Sequence, residues 1–225
     1  MKPNGIILVD KPEKMSSFGV VARVRRVLSQ AAGKKIKIGH TGTLDPFATG
    51  LMILVVGDYC KKAAEFSKLD KTYLATACLG QTSSTGDPEG DILQQSTHIP
   101  AKNDVINALD KFRGRITQTP PVYSAIKIDG QRAYKLARDG KEVEMPKRQV
   151  DIYNIELLNY DYPNVNFVCD VSSGTYIRTL VEDIGKQLRV GAYTCQLRRT
   201  KVGKWSIDQA QSLEECMLNP NIIQV

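Results

Sequence analysis

Asp45 is the one carboxylate in Gly39-His40-Thr41-Gly42-Thr43-Leu44-Asp45-Pro46-Phe47-Ala48-Thr49-Gly50-Leu51, a run of small and turn-forming residues. Directly after it comes the apolar stretch from Leu51 to Val56. Pro46 fixes φ just past the acid, and the flanking glycines let the chain bend sharply on either side. A loop of this kind holds an acid in one orientation. The default part for a lone loop aspartate is an Asx-turn or a helix cap. The surrounding charge points to a different one. From Lys14 to Leu44 there is no Asp or Glu, while Lys14, Arg23, Arg25, Arg26, Lys34, Lys35 and Lys37 fill the span. An acid that follows a wholly basic segment suits chemistry on a polyanion.

Few other catalytic parts are present. The histidines are His40 and His98, and there is no GxSxG elbow, Walker A loop, dinucleotide-binding fingerprint or HExxH. Asp87, Glu89 and Asp91 alternate in a polar loop, but Pro88 and the lack of a downstream glutamate at EF-hand spacing argue against calcium. The five cysteines are widely spaced without a CxxC, which reads as free thiols packed in a reducing compartment and not as a zinc site. No metal and no cofactor are expected. What remains is Asp45, Tyr73, and the pair Tyr176 and Arg178 at the start of a helix.

The 225 residues, 42% hydrophobic and 24% charged, fit a globular protein. No apolar run approaches the roughly 20 residues of a membrane span, and the start lacks a signal-peptide core, so a cytoplasmic protein with no membrane partner is expected. The net charge of +7 is unevenly placed. A second acid-free span, Ile184 to Ile207, carries Lys186, Arg189, Arg198, Arg199, Lys201 and Lys204. The remainder of the chain is acidic overall. Such segregation is the footprint of a phosphate-tracking surface; two solvated basic helix faces are the plainer alternative.

The elements that must position these residues follow from hydrophobic spacing. Gly5 to Val9 and Leu51 to Val56 read as buried strands. Ser16 or Ser17 caps a helix with Val20, Val21, Val24, Val27 and Leu28 inside. Ala63 to Lys68 and Asp104 to Phe112 read as short helices, and Lys71 to Gln81 as a strand. An insertion of about Pro121 to Arg148, with Tyr123, Lys127, Arg132, Tyr134, Lys135 and Arg138, has too few large apolar residues for its own core and reads as a flap over a ligand. Val150 to Tyr160 and Val165 to Ser172 form an antiparallel pair, Thr175 to Leu188 a helix, Tyr193 to Val202 a core strand, and Ser212 to Met217 a last helix. The fold class is α+β: a mixed, mainly antiparallel sheet with flanking helices and an inserted flap.

The stretch from His40 to Leu51 resembles the catalytic motif of pseudouridine synthases, most closely the TruB type that modifies the T-loop uridine of tRNA (position 55). Gly5 to Ser17 (GIILVDKPEKMSS) resembles the family's N-terminal motif, with Lys14 where glycine is usual. Lys71-Thr72-Tyr73, Tyr123 to Lys127 (YSAIK), Ser173 to Thr179 (SGTYIRT) and Gln196 to Arg199 (QLRR) resemble later motifs in family order. The resemblance implies a single catalytic domain over 1–225 with a thumb-like insertion at about 121–148 and a short tail over 206–225. A complete C-terminal PUA domain is not expected within the chain.

It further implies that Asp45 begins glycosidic cleavage, by attack at C6 of the base or by way of the C2′ proton. Arg178 would keep that acid ionised, and Tyr73 would stack on a flipped uracil and offer its phenol to the C5 proton. Tyr176 and Leu197 would line the pocket and His40 would occupy the vacated stack or contact a phosphate, with Lys11 and Lys61 on phosphates. The implied partner is the T arm of tRNA, met by a monomer. A non-catalytic RNA-binding or RNA-folding protein using the same basic cleft is the alternative. A nucleoside-cleaving hydrolase is the other, and it wants a second carboxylate that the basic spans do not supply.

Overall fold

The computed structural model describes residues 3–124, 126–128, 130–138 and 143–224. The chain divides into two compact units, one of Met1–Tyr73 with Leu197–Val225 and the other Leu74–Gln196.

The first unit opens with β1 (Gly5–Lys11), α1 (Ser17–Ala31), β2 (Ile38–His40) and β3 (Thr49–Val56), followed by a short 3₁₀ segment, Gly57–Lys62, and α2 (Ala63–Ser67). β4 (Lys71–Leu79) begins in it. β1 and β3 pair antiparallel from Gly5 opposite Val56 to Lys11 opposite Gly50. Both strands are near-continuous apolar runs and both are buried except at half-buried Asp10 and Thr49, as strands covered on two faces must be. β2 pairs antiparallel with β3. Ser16 caps α1 by accepting from the Gly19 N–H at 3.1 Å, and Val20, Val21, Val24 and Leu28 form its buried stripe, while Val27, expected with them, is half-buried. Ile6, Leu8, Leu51, Ile53, Val55, Phe66 and Val202 make one apolar cluster beneath these strands.

The second unit contains the rest of β4, then β5 (Gln81–Ser83), β6 (Ile92–Gln94), α3 (Lys102–Asp110), β7 (Gly114–Gln118), β8 (Lys127–Ile128), β9 (Gln131–Arg132), α4 (Ala133–Arg138), β10 (Arg148–Asp161), β11 (Asn164–Val171) and α5 (Ile177–Gln187). β12 (Ala192–Val202) starts here and ends in the first unit, where it is followed by β13 (Trp205–Ser206), β14 (Gln211–Ser212) and α6 (Leu213–Leu218). β10 and β11 form the expected antiparallel pair, with Val165, Phe167, Cys169 and Val171 alternating into the interior. β7, which no apolar alternation announces, pairs antiparallel with β10. α5 buries Ile177, Leu180, Val181 and Ile184.

The architecture is thus mixed α and β with mainly antiparallel strands; β1 with β14 and β3 with β12 run parallel. Within the insertion, Ala125, Asp129, 139–142 and the side chains of Lys127, Arg132, Tyr134, Lys135 and Arg138 lie outside the described residues. No helix among the described residues is long and apolar enough to cross a membrane.

Candidate active site

The Asp45 loop is anchored on both sides of the acid. The Ser17 hydroxyl, buried at the first turn of α1, accepts from the Leu44 N–H and donates to the Leu44 carbonyl, both at 2.8 Å. The Lys11 ammonium donates to the carbonyls of Pro12 (2.8 Å), Met15 (2.6 Å) and Pro46 (3.1 Å). The residues before and after Asp45 are therefore tied to α1 and to the end of β1. Leu44, Phe47 and Ala48 are buried while Asp45 itself is half-buried, so its neighbours hold the backbone on either side of the acid. Among the described residues no group of His, Cys, Asp and Glu could hold a metal ion.

Arg199 closes the ends of the same loop. Its guanidinium is 2% exposed and donates to the carbonyls of Leu51 (2.8 Å) and Gly42 (3.1 Å). β12 lies parallel to β3 here, with Arg199 opposite Gly50. A Cβ on Gly50 would stand 2.3 Å from the Arg199 carbonyl oxygen, which is why the loop ends in glycine. Arg198, on the other face, makes a two-pronged ion pair with Asp10 at 2.7 and 3.1 Å.

These positions correct the sequence reading in part. Lys11 has no exposed surface and its ammonium faces the loop, so it positions Asp45's neighbours and cannot reach a phosphate. Arg199 is likewise internal and Arg198 is already paired. The density of Lys and Arg in a sequence does not distinguish cations that face solvent from cations consumed by backbone carbonyls.

Strand alternation brings Tyr73 and Leu197 to the Arg199 side. Leu197 is two residues from Arg199 on β12, and Tyr73 two residues from Lys71 on the neighbouring β4. Burial, with the Arg199 charge second, lowers the Lys71 pKa to about 8, as expected for two cations on one face. The Lys71 ammonium donates to the carbonyls of Ser67 (2.7 Å) and Leu69. Tyr73 and Leu197 are both buried. His40 ends β2, half-buried, and Lys61 is exposed in the 3₁₀ segment.

Tyr176 and Arg178 lie in the second unit. Tyr176 is the N-cap residue of α5, and its backbone is gripped by the wholly buried Gln118 amide: Gln118 Oε1 accepts from the Tyr176 N–H at 3.1 Å and Nε2 donates to its carbonyl at 3.2 Å. The Arg148 guanidinium lies over the Tyr176 ring, 5.3 Å from its centroid. Arg178 is buried. It pairs with Asp87 at 2.9 Å and donates to the carbonyls of Thr85 (2.9 Å) and Tyr123 (2.7 Å), fastening the 82–91 loop and the start of the insertion to α5. Asp87 also accepts from the Thr85 hydroxyl (2.6 Å) and the Glu89 N–H (3.0 Å).

The acidic loop that sequence treats only as a calcium question thus supplies the carboxylate for Arg178. Gln118 and Asp87 were both missed, because a single polar residue that becomes buried carries no local signal. The cysteines are thiols; burial, the largest cause in each, raises Cys195 and Cys216 to about 11, which suits packing groups.

Comparison with known proteins bears on this geometry. Residues 25–177 match the sequence model described as TruB family pseudouridylate synthase (N terminal domain), and 178–219 match that of the tRNA pseudouridylate synthase B C-terminal domain. The chain is 46% identical over 212 residues to tRNA pseudouridine synthase B of Pseudomonas fluorescens (strain Pf0-1), covering 94% of this chain and 68% of that protein. Against the protein of the same name from Clostridium kluyveri it is 42% identical over 211 residues, covering 94% and 71%. Among solved structures, a Cbf5-Nop10-Gar1 complex superposes with a TM-score of 0.73 at 29% identity, over 96% of this chain and 54% of that one. An H/ACA RNP bound to a substrate RNA containing 2'-deoxyuridine gives 0.69 at 27%, over 95% and 52%. The chain therefore spans about two thirds of the curated relatives and about half of these structural ones.

Proposed function

The chain belongs to the TruB family of pseudouridylate synthases, and from that premise we propose that it isomerises the T-loop uridine of tRNA (position 55) to pseudouridine with Asp45 as the acting carboxylate. The observation that carries the assignment to Asp45 is the anchoring of its loop by Ser17, Lys11 and Arg199, which fixes the backbone on both sides of the acid. Only a preorganised carboxylate avoids reorientation at the moment of reaction.

The reaction breaks N1–C1′, turns the base and joins C5 to C1′. It is redox-neutral and consumes no water, so side chains and a proton acceptor suffice. A stacked uridine hides its glycosidic bond, and flipping it out costs a few kcal/mol. On this reading Tyr73 stacks on the everted uracil and offsets about 1–3 kcal/mol of that cost. Its phenol is the candidate acceptor for the C5 proton, while Leu197 and Tyr176 bound the base. His40 contacts the RNA where the uridine left, and Lys61 meets a phosphate. Covering a carboxylate with a base disfavours its ionised form. Arg178 is assigned the opposing charge in the RNA complex, with Asp87 holding its guanidinium in the free protein. Lys11 acts through the loop. The partner is the T arm, bound by a monomer in the cytoplasm.

Incubation with unmodified tRNA transcript followed by carbodiimide mapping of pseudouridine tests this. The native chain gives a single T-loop signal, and Asp45→Asn abolishes it while still retaining RNA. Equal modification by Asp45→Asn, or RNA retention without any modification by the native chain, would leave the non-catalytic RNA-binding reading in its place.

A further inference from the structure

α1 presents a face to solvent that the uracil chemistry does not use. Phe18, the second residue of the helix, is 64% exposed. The Arg25 guanidinium lies over its ring, 5.7 Å from the centroid. Ala22, Arg25 and Arg26 follow Phe18 at i+4, i+7 and i+8, the spacing of one helix face. Arg23, Arg26, Lys34 and Lys35 are exposed, and among the described residues none of Arg23, Arg25 and Arg26 forms an ion pair. α6 packs against α1 and carries Glu214 and Glu215, of which Glu215 is occupied in capping Ser212.

We propose that this face is a second RNA contact, in which an unpaired nucleotide of the substrate other than the target uridine stacks on Phe18 while its phosphates meet Arg25 and Arg26. A lone exposed aromatic is ordinary. One sandwiched with a guanidinium inside a strip free of acids has the composition of a single-strand platform, where a π-face takes any base and cations track the backbone. Paired A-form RNA does not expose its base faces, so the occupant is a loop or an end. Ser17, the neighbour of Phe18, is the residue that grips Leu44, so the platform and the Asp45 loop share one short rigid connection. The proposal rests on the tRNA reading above for its partner, and not on the chemistry assigned to Asp45.

The test is tRNA binding by filter retention across a salt series, with Phe18→Ala, Phe18→Trp, an Arg25→Glu/Arg26→Glu double variant, and Leu158→Ala as an exposed control on β10. Phe18→Ala should weaken binding about ten-fold with the salt slope unchanged, Phe18→Trp should restore it, and the double variant should flatten the slope by about one to two. In turnover the Phe18→Ala loss appears mainly in KM. Ultraviolet cross-linking should place a nucleotide on Phe18. Native affinity in Phe18→Ala, or a loss no larger than that of Leu158→Ala, would overturn the proposal. So would competition by polyglutamate equal to that of RNA, which would make the face a site for an acidic protein. If the native chain forms no pseudouridine yet Phe18→Ala still weakens tRNA binding, the platform stands and the reaction assignment falls.

Discussion

Arg178 and Asp87 form an ion pair at 2.9 Å with only 4% of either side chain exposed. Each charge is also satisfied beyond the pair, Arg178 by two carbonyls and Asp87 by the Thr85 hydroxyl and the Glu89 N–H. That is the condition under which a buried pair repays its desolvation. Removing one member strands the other. Asp87→Ala is expected to lower the unfolding free energy by about 3–5 kcal/mol, read from urea midpoints, while Arg178→Met/Asp87→Leu recovers much of the loss. A single Asp87→Ala within 0.5 kcal/mol of native would mean that water replaces the pair.

Ser17 carries more than its size suggests. Its hydroxyl serves both backbone groups of Leu44, so Ser17→Ala leaves a buried N–H and a buried carbonyl unpaired. The expected stability cost is about 1–3 kcal/mol per stranded group at most, and less if the loop shifts to meet water. A shift of that loop moves Asp45. The rate of pseudouridine formation at saturating tRNA should therefore fall by more than ten-fold, while tRNA affinity changes little. A native rate in a measurably destabilised Ser17→Ala would detach the loop anchor from the chemistry.

Most of this architecture is legible in the sequence because its signals are periodic. The alternation of Val165, Phe167, Cys169 and Val171 gives β11, and the stripe of Val20, Val21, Val24 and Leu28 gives α1. Gly114–Gln118 shows neither period, since it gains its place only by pairing with β10. Lys14 illustrates a departure that costs little. It holds φ at 60°, the left-handed conformation for which glycine is usual, and keeps the turn at the expense of about 1 kcal/mol. Charge was the least legible feature. Lys11, Arg198 and Arg199 read as phosphate contacts, yet two are spent on carbonyls and one on Asp10, because backbone acceptors leave no trace in composition.

Lys71 gives the protein a distinctive alkaline behaviour. Burial and Arg199 depress its pKa from 10.5 to about 8, so the folded state releases this proton before the unfolded chain does. Between pH 8 and 10.5 the unfolded state binds more protons at this site, and stability from Lys71 rises with pH across that window. Tyr193, raised to about 12 chiefly by burial, pulls the other way above pH 10. The comparison is therefore differential. Urea unfolding of native and Lys71→Met proteins at pH 7.5, 8.5 and 9.5 should show the native chain gaining on the variant at each step. A constant difference would place the Lys71 pKa at its ordinary value.

Gly50 and Gly33 separate a conformational cost from a steric one. Both have positive φ, 106° and 61°, so alanine is strained at either. Nothing lies within 4 Å of a Cβ on Gly33, whereas a Cβ on Gly50 meets the Arg199 carbonyl oxygen at 2.3 Å and its nitrogen at 2.7 Å. Those atoms belong to the backbone of β12 and cannot rotate away. Gly33→Ala should cost about 1–2 kcal/mol, the left-handed penalty alone. Gly50→Ala must also part β3 from β12 where Arg199 closes the Asp45 loop, and is expected to cost several kcal/mol and all detectable modification. Chemical denaturation of the two variants, with pseudouridine mapping of whatever folds, decides the point. Equal costs would mean that the strand contact yields and that the loop is closed by Arg199's side chain alone.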